Sequence, residues 1–225
     1  YMEGFNSIAE LRESELRCAA GILGLTGVHF LGWRDSGMPD TPDNNHPQAL
    51  VQQPTEVVAQ QVAEHIRRLC PQVVVTFDPV GGYKHPDHLA IHRATLRAVH
   101  LANDPSCISD APPYAPQRLY YTVFPKAMFK WAVRLMPLFG QDPRRFGRNK
   151  DIDILDIVQS GDFPIHARIN YRSVLTERDA AAACHSSQEG GGFTRGPLRF
   201  LRSLIGTHDN FMRAIPPAEK GLREK

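Results

Sequence analysis

The stretch VVVTFDPVGGYKHPDHLAIH, Val73 to His92, decides how the rest of the chain is read. Val73, Val74, Val75 and Phe77 form a β-branched apolar run without alternation, the pattern of a strand covered on both faces, as in a parallel sheet. Asp78 and Pro79 end the run, Gly81 and Gly82 permit positive φ in a tight loop, and Pro86 suits the first turn of a following helix. Strand, glycine loop and helix in that order bring His85, Asp87 and His88 to the carboxyl edge of a sheet, where open α/β proteins bind their ligands.

A neutral imidazole is a good zinc donor, and His85 and His88, three residues apart, leave nearly one face of a helix start. One can bind a metal while the other handles charge or protons. Asp87 can fix the tautomer of a neighbouring imidazole. A plainer reading stays open, in which His85 and Asp87 only start the helix and the dipole favours Asp87. Three polar groups after a buried strand and a double glycine favour a functional site. His92 lies four residues after His88 on the same face. HLAIH lacks the glutamate of a metalloprotease zinc helix, so His92 reads as a packing or supporting histidine.

Upstream, Ser7 suits an N-cap, and Ile8, Leu11, Leu16, Ala19, Ala20 and Leu23 follow a helical stripe. Arg12 lies beside it and, on the residues alone, reads as a solvated arginine. Val28 to Trp33 reads as a strand that carries Arg34 and Asp35 at its end. Asp35 can accept hydrogen bonds from a sugar hydroxyl or cap the turn at Ser36 and Gly37. Met38 to Pro54 has no apolar period and reads as a surface loop. Thr55 and Glu56 open a helix with Val58, Val62, Ile66 and Leu69 on one face, and Pro71 forces its exit.

Downstream, the helix from Pro86 runs to about Leu101, and Arg118 to Phe124 is the next strand. Asp151 to Val158 and Phe163 to Asn170 read as further strands, Tyr171 to Ser186 as an alanine-rich helix closed by His185 and Gln188, and Leu198 to Ile205 as another helix. Gly190, Gly191 and Gly192 form a loop that can border the site. This alternation predicts one α/β domain with a Rossmann-like, mostly parallel sheet flanked by helices. Residues 126–150 mix Trp131, Met136 and Phe139 with Lys126, Lys130 and Arg134, a basic amphipathic insertion suited to packing on its own domain or to a lid. A membrane-skimming role or a contact in a homo-oligomer is less favoured. Residues 216–225 read as a polar tail that frays.

With 225 residues, 42% hydrophobic and 22% charged, the chain is long enough for one sizeable core. Its net charge of +2 gives no field for nucleic acid. Cys18, Cys70, Cys107 and Cys184 form no CxxC pair, so reduced thiols in the cytoplasm are the simpler expectation. No apolar run reaches the ~18 residues of a membrane span.

GGYKHPDH followed by LAIH resembles the GGYGHPDH segment of the LmbE-like, PIG-L type zinc-dependent N-deacetylases, a family that includes enzymes of mycothiol and bacillithiol metabolism. Arg12, Glu15 and Leu16 resemble its R-x-x-E helix, LGWRDSGM (Leu31 to Met38) its RDSGM segment, and AACHSSQ (Ala182 to Gln188) its H-x-SQ segment. The resemblance implies removal of the acetyl group from an N-acetylglucosamine-type conjugate. Zinc, or another divalent ion such as Fe2+, would be held by His88. His85, oriented by Asp87, would stabilise an oxyanion or protonate the leaving amine, and Tyr83 would add a hydrogen bond. Arg12, Asp35 and Gln188 would hold the sugar or its substituent. The family's AHPDDE-type motif, with two further metal ligands and the general base, is not in this sequence. Residues 1–225 are therefore expected to be a single such domain lacking its first strand and that motif, and to bind zinc poorly and be inactive as they stand. Lys84 replaces the family's glycine and is expected to alter the loop. Two rivals from other classes are a non-catalytic sugar-conjugate-binding module and a nucleotide-binding protein. The second is weakened because Gly81 and Gly82 do not form G-x-G-x-x-G.

Overall fold

The computed structural model describes residues 4–124, 130, 133–140, 142–145, 153–160, 162–188, 207–219 and 221–224. The chain divides into two compact units, residues 1–30 with 169–209 and residues 31–168 with 210–225.

In the first unit, Ser7 accepts a hydrogen bond from the Glu10 amide and caps α1 (Ile8–Ile22) as its sequence predicts. The buried stripe is Leu11, Glu15, Ala19 and Ala20, whereas Ile8 and Leu23 are half exposed. Glu15 tolerates burial because Ser186 Oγ, Ser187 Oγ and the Ser187 amide all donate to its carboxylate. The expected reduced state of Cys18 and Cys184 is corrected: they form a disulfide with Cα atoms 5.9 Å apart, joining α1 to the Leu175–Cys184 helix. They are 166 residues apart in sequence, so only the fold reveals the pair. Cys70 and Cys107 are free thiols.

The second unit carries α2 (Thr55–Leu69), β1 (Val73–Phe77), a single turn α3 (Gly81–Lys84), α4 (Pro86–Asn103) and β2 (Arg118–Thr122). β3 (Ala167–Asn170) and β4 (His208–Ile215) complete one sheet in the order β1-β2-β4-β3. The α/β class is as expected, and the sheet is mixed: β1 and β2 are parallel, β2 and β4 antiparallel. Small residues let α2 and α4 approach closely, with Ala59, Ala94, Ala98 and Ala102 fully buried beside Val58, Ile66, Leu101 and Leu119. Arg67 is buried at the end of α2, and its guanidinium donates to the carbonyls of Leu101, Ala102, Asp104, Cys107 and Ala111. That arginine fixes the chain leaving α4.

Several expected elements differ. Among the described residues β1 is an edge strand, and Val73 and Val75 are each 49% exposed, so it is not covered on both faces. Val28 to Trp33 forms no strand; the first bridge comes later, at Arg34 with Ala49. Asp151 to Val158 is not a strand in its described part, because Asp153 accepts from the Asp156 amide and caps a helix, Ile154–Gln159. Residues 216–225, expected to fray, are anchored near their end: Glu224 bridges to Ala167, bonds Arg213 and accepts from Tyr120. Leu198 to Ile205, Gly190 to Gly192 and much of 126–150 lie outside the described residues. Among the described residues no helix is long and apolar enough to cross a membrane.

Candidate active site

β1 runs parallel to β2 with Phe77 opposite Thr122, so the residues after Phe77 emerge at the carboxyl edge of this pair. Asp78, only 2% exposed, accepts from the amides of Val80 (2.9 Å) and Gly82 (3.1 Å) and folds the loop back on the strand. Gly81 and Gly82 take φ of 66° and 67°. A Cβ on Gly81 would lie 3.0 Å from Leu89 and 3.2 Å from His88, so this turn needs glycine for its angle and for its space. Lys84 takes φ of 66° without that freedom. Its ammonium pairs with Asp156 on the Ile154–Gln159 helix.

The loop ends in two histidines held in opposite ways. His85 is the N-cap of α4, and its Nδ1 accepts the Asp87 amide at 3.2 Å. An amide can only donate, so the hydrogen of a neutral His85 ring is on Nε2. His88 Nδ1 lies 3.1 Å from the Gly81 carbonyl, which can only accept. Its ring hydrogen is therefore on Nδ1, and Nε2 keeps a lone pair. The His88 ring stacks on Phe77 at 3.7 Å with 8° between planes. Burial pushes its pKa down and so favours the neutral, ligating form; the bond to Gly81 works against this shift. Tyr83 stands edge-on to both rings, 5.8 Å from His85 and 5.0 Å from His88.

Asp87 Oδ2 accepts the Ser36 amide at 3.0 Å, tying the RDSGM segment to the start of α4, while its buried Oδ1 has no partner among the described residues. Asp35 accepts the Gly37 amide at 2.7 Å, so the turn-capping reading of this exposed aspartate holds. Asp35, His85 and Asp87 each offer a donor atom within 4.8 Å of the other two, a spacing that a cation can bridge. His85 suits this poorly as a ligand, since the Asp87 amide already occupies Nδ1 and Nε2 carries hydrogen. His88, with its free lone pair, fits a divalent ion better.

Five of the seven residues expected from sequence, Asp35, Tyr83, His85, Asp87 and His88, lie together in the second unit. Arg12 is exposed on α1 and Gln188 ends a 3-10 turn (Ser186–Gln188), both in the first unit. His92 is the packing residue it was read as, with Nδ1 2.8 Å from the Phe77 carbonyl. Sequence reading missed Asp78, Ser36 and Phe77 as parts of the site. An aspartate directly after the strand and before Pro79 was the one available signal.

Residues 2–99 match the family described as PIG-L: GlcNAc-PI de-N-acetylase. The chain is 37% identical to the 1D-myo-inositol 2-acetamido-2-deoxy-alpha-D-glucopyranoside deacetylase of Thermomonospora curvata, over 88% of this chain and 66% of that protein. The same-named proteins of Acidothermus cellulolyticus and Thermobispora bispora are 36% and 34% identical, over 87% and 96% of this chain. The chain spans 63% and 75% of their lengths, so it covers just under two thirds of the first two relatives. A conserved protein of Thermus thermophilus superposes with a TM-score of 0.58 over 99% of this chain and 81% of its own, at 20% identity. GalB, the 4-carboxy-2-hydroxymuconate hydratase of Pseudomonas putida, does so at 0.51 over 94% and 74%, at 19% identity. At such identities these two likenesses concern the fold alone.

Proposed function

The chain belongs to the PIG-L family of GlcNAc-PI de-N-acetylases, and from that membership we propose that it is the core of a metal-dependent hydrolase that frees acetate and an amine from an N-acetylglucosamine-type conjugate. The single observation that carries the reading is the opposed tethering of His85 and His88 on one turn of α4. It supplies one imidazole lone pair and one imidazole N–H side by side, ring centres 5.0 Å apart.

His88 would hold the divalent ion, zinc by preference, through Nε2. When bound, such an ion lowers the pKa of water and polarises an amide carbonyl. One imidazole does not make a zinc site, so the reading requires further donors and a general base beside His88. His85 Nε2–H is suited to stabilise the negative oxygen that develops as the carbonyl is attacked, or to protonate the leaving nitrogen. Asp87 holds His85 through its backbone amide. Tyr83, edge-on to both rings, would add a hydrogen bond to the reacting group. Asp35, beside the histidine pair, would hold a sugar hydroxyl. The small-molecule substrate suits a cytoplasmic enzyme.

The test is acetate release from 1D-myo-inositol 2-acetamido-2-deoxy-α-D-glucopyranoside by the full-length protein, with metal content measured on the same sample. Turnover that falls on chelation and returns with zinc is the expected result. Sugar binding without metal and without acetate release would instead make this a binding module.

A further inference from the structure

Ile165, His166, Arg168, Arg223 and Glu224 line a cavity of about 140 Å³ in the second unit, apart from the histidine pair. Its walls are pinned by backbone bonds from the Glu224 amide to the His166 carbonyl (2.7 Å) and from the His166 amide to the Phe211 carbonyl (2.9 Å). The one carboxylate in its lining is already used: Glu224 pairs with Arg213 at 2.6 Å and accepts from Tyr120. Arg168 and Arg223 are exposed and have no carboxylate or carbonyl partner among the described residues. In the same unit Arg97 chelates Glu56 and Arg34 pairs with Asp43. His166 Nδ1 accepts the Arg213 amide at 2.9 Å, so a neutral His166 ring carries its hydrogen on Nε2 and donates. The cavity thus presents two guanidiniums that are unpaired among the described residues and an imidazole N–H, with its acceptor spoken for.

We propose that this cavity is a binding site for a phosphate-type oxyanion, gripped by Arg168 and Arg223 with His166 as a third donor. A tetrahedral anion has several oxygens for such donors, and guanidinium forks match them better than any neutral ligand. The site is distinct from the histidine pair. Phe77, Thr122 and Phe211 lie in one row across the sheet, and His166 bonds to Phe211. Three strand spacings separate His166 from Phe77, under His88, which is roughly 14 Å. The anion is either free phosphate or a phosphate carried on a sugar.

The test titrates inorganic phosphate, and separately glucosamine 6-phosphate and glucosamine, into the full-length protein and an Arg168→Ala/Arg223→Ala variant. Binding is followed by phosphorus NMR line broadening and by Tm at matched ionic strength. Both arginines are exposed, so the variant is expected to keep its far-ultraviolet circular dichroism. An Arg168→Lys/Arg223→Lys variant, which keeps charge but not the fork, should bind with intermediate affinity. Saturable broadening by inorganic phosphate that weakens at least about tenfold in the alanine variant supports the site. Tighter binding of the sugar phosphate than of inorganic phosphate, with none of glucosamine, assigns the anion to a sugar conjugate; equal binding assigns free phosphate. An equal Tm rise in both proteins, without saturable broadening, is general stabilisation by excluded anions and overturns the proposal.

Discussion

Replacing His88 and His85 one at a time should separate two properties that a shared metal shell would lose together. His88 presents its Nε2 lone pair because Nδ1 is turned to Gly81 at 3.1 Å and the ring is held on Phe77 at 3.7 Å. If His88 is the proposed ligand, His88→Ala in the full-length protein should lower metal content well below one ion per chain and turnover with it. His85 makes a different contribution, an N–H, with Nδ1 engaged as the cap of α4. Losing one donor to a developing oxyanion costs about 10²–10³ in kcat, or roughly 2.7–4 kcal/mol of barrier. Losing the cap costs about 1 kcal/mol of folding stability besides. His85→Ala should therefore keep its metal and lose about 10²–10³ of kcat. Elemental analysis and an acetate-release assay at saturating substrate read the two properties. Long-range ¹H–¹⁵N correlation on the wild type should place the hydrogen on Nδ1 of His88 and on Nε2 of His85. Equal metal loss in the two variants, or the reverse tautomers, would refute the reasoning.

Lys84 holds φ of 66° at a cost of about 1–2 kcal/mol for an L residue. Lys84→Gly should therefore melt higher than Lys84→Ala by a few degrees, both having lost the exposed pair with Asp156; equal Tm values would dismiss the strain. Arg67→Met strips donors from the five carbonyls around the end of α4 and should cost about 1–3 kcal/mol in urea unfolding; a loss under ~0.5 kcal/mol, as at an exposed site, would contradict the buried placement. Peptide mapping without reductant should recover Cys18 joined to Cys184, and a Cys18→Ser/Cys184→Ser variant should lose about 2–5 kcal/mol, as removal of a native cross-link does. Glu224 is held below the usual carboxylate range by the hydrogen bond from Tyr120 and by Arg213, against some burial. Its folded pKa is depressed, so its contribution is complete above the unfolded value near pH 4.5 and fades as pH falls toward the folded one. Glu224→Gln should flatten that part of the stability profile, and an unchanged acid limb would count against the Tyr120–Glu224–Arg213 network.

How much of this was legible in the sequence depended on whether the deciding contact was local. The glycine loop, Pro86 at the start of α4 and Ser7 at the start of α1 were readable because each sets its own backbone angle or caps its own turn. Val28 to Trp33 looked equally strand-like, but a strand needs a neighbour, and the described chain first finds a bridge at Arg34. Asp153 shows the converse: a short apolar run with interleaved acids fits strand or helix, and one capping bond to Asp156 chose the helix. Cys18 and Cys184, and Arg67 with its carbonyls, were beyond reach because their partners are distant in sequence.

The candidate site falls between these cases, and that explains which of its properties could be foreseen. His85, Asp87 and His88 could be grouped from spacing alone, since a helix start brings them together. Their division of labour could not, because it turns on which way two neutral rings are protonated. That choice belongs to the Asp87 amide for one ring and to the Gly81 carbonyl for the other. The carbonyl reaches His88 only because Gly81 turns at φ of 66°, where a side chain would strike Leu89 and His88. The glycine in the sequence is thus the indirect record of the His88 tautomer. A Gly81→Ala variant should disturb metal affinity through His88 before it disturbs the N–H offered by His85.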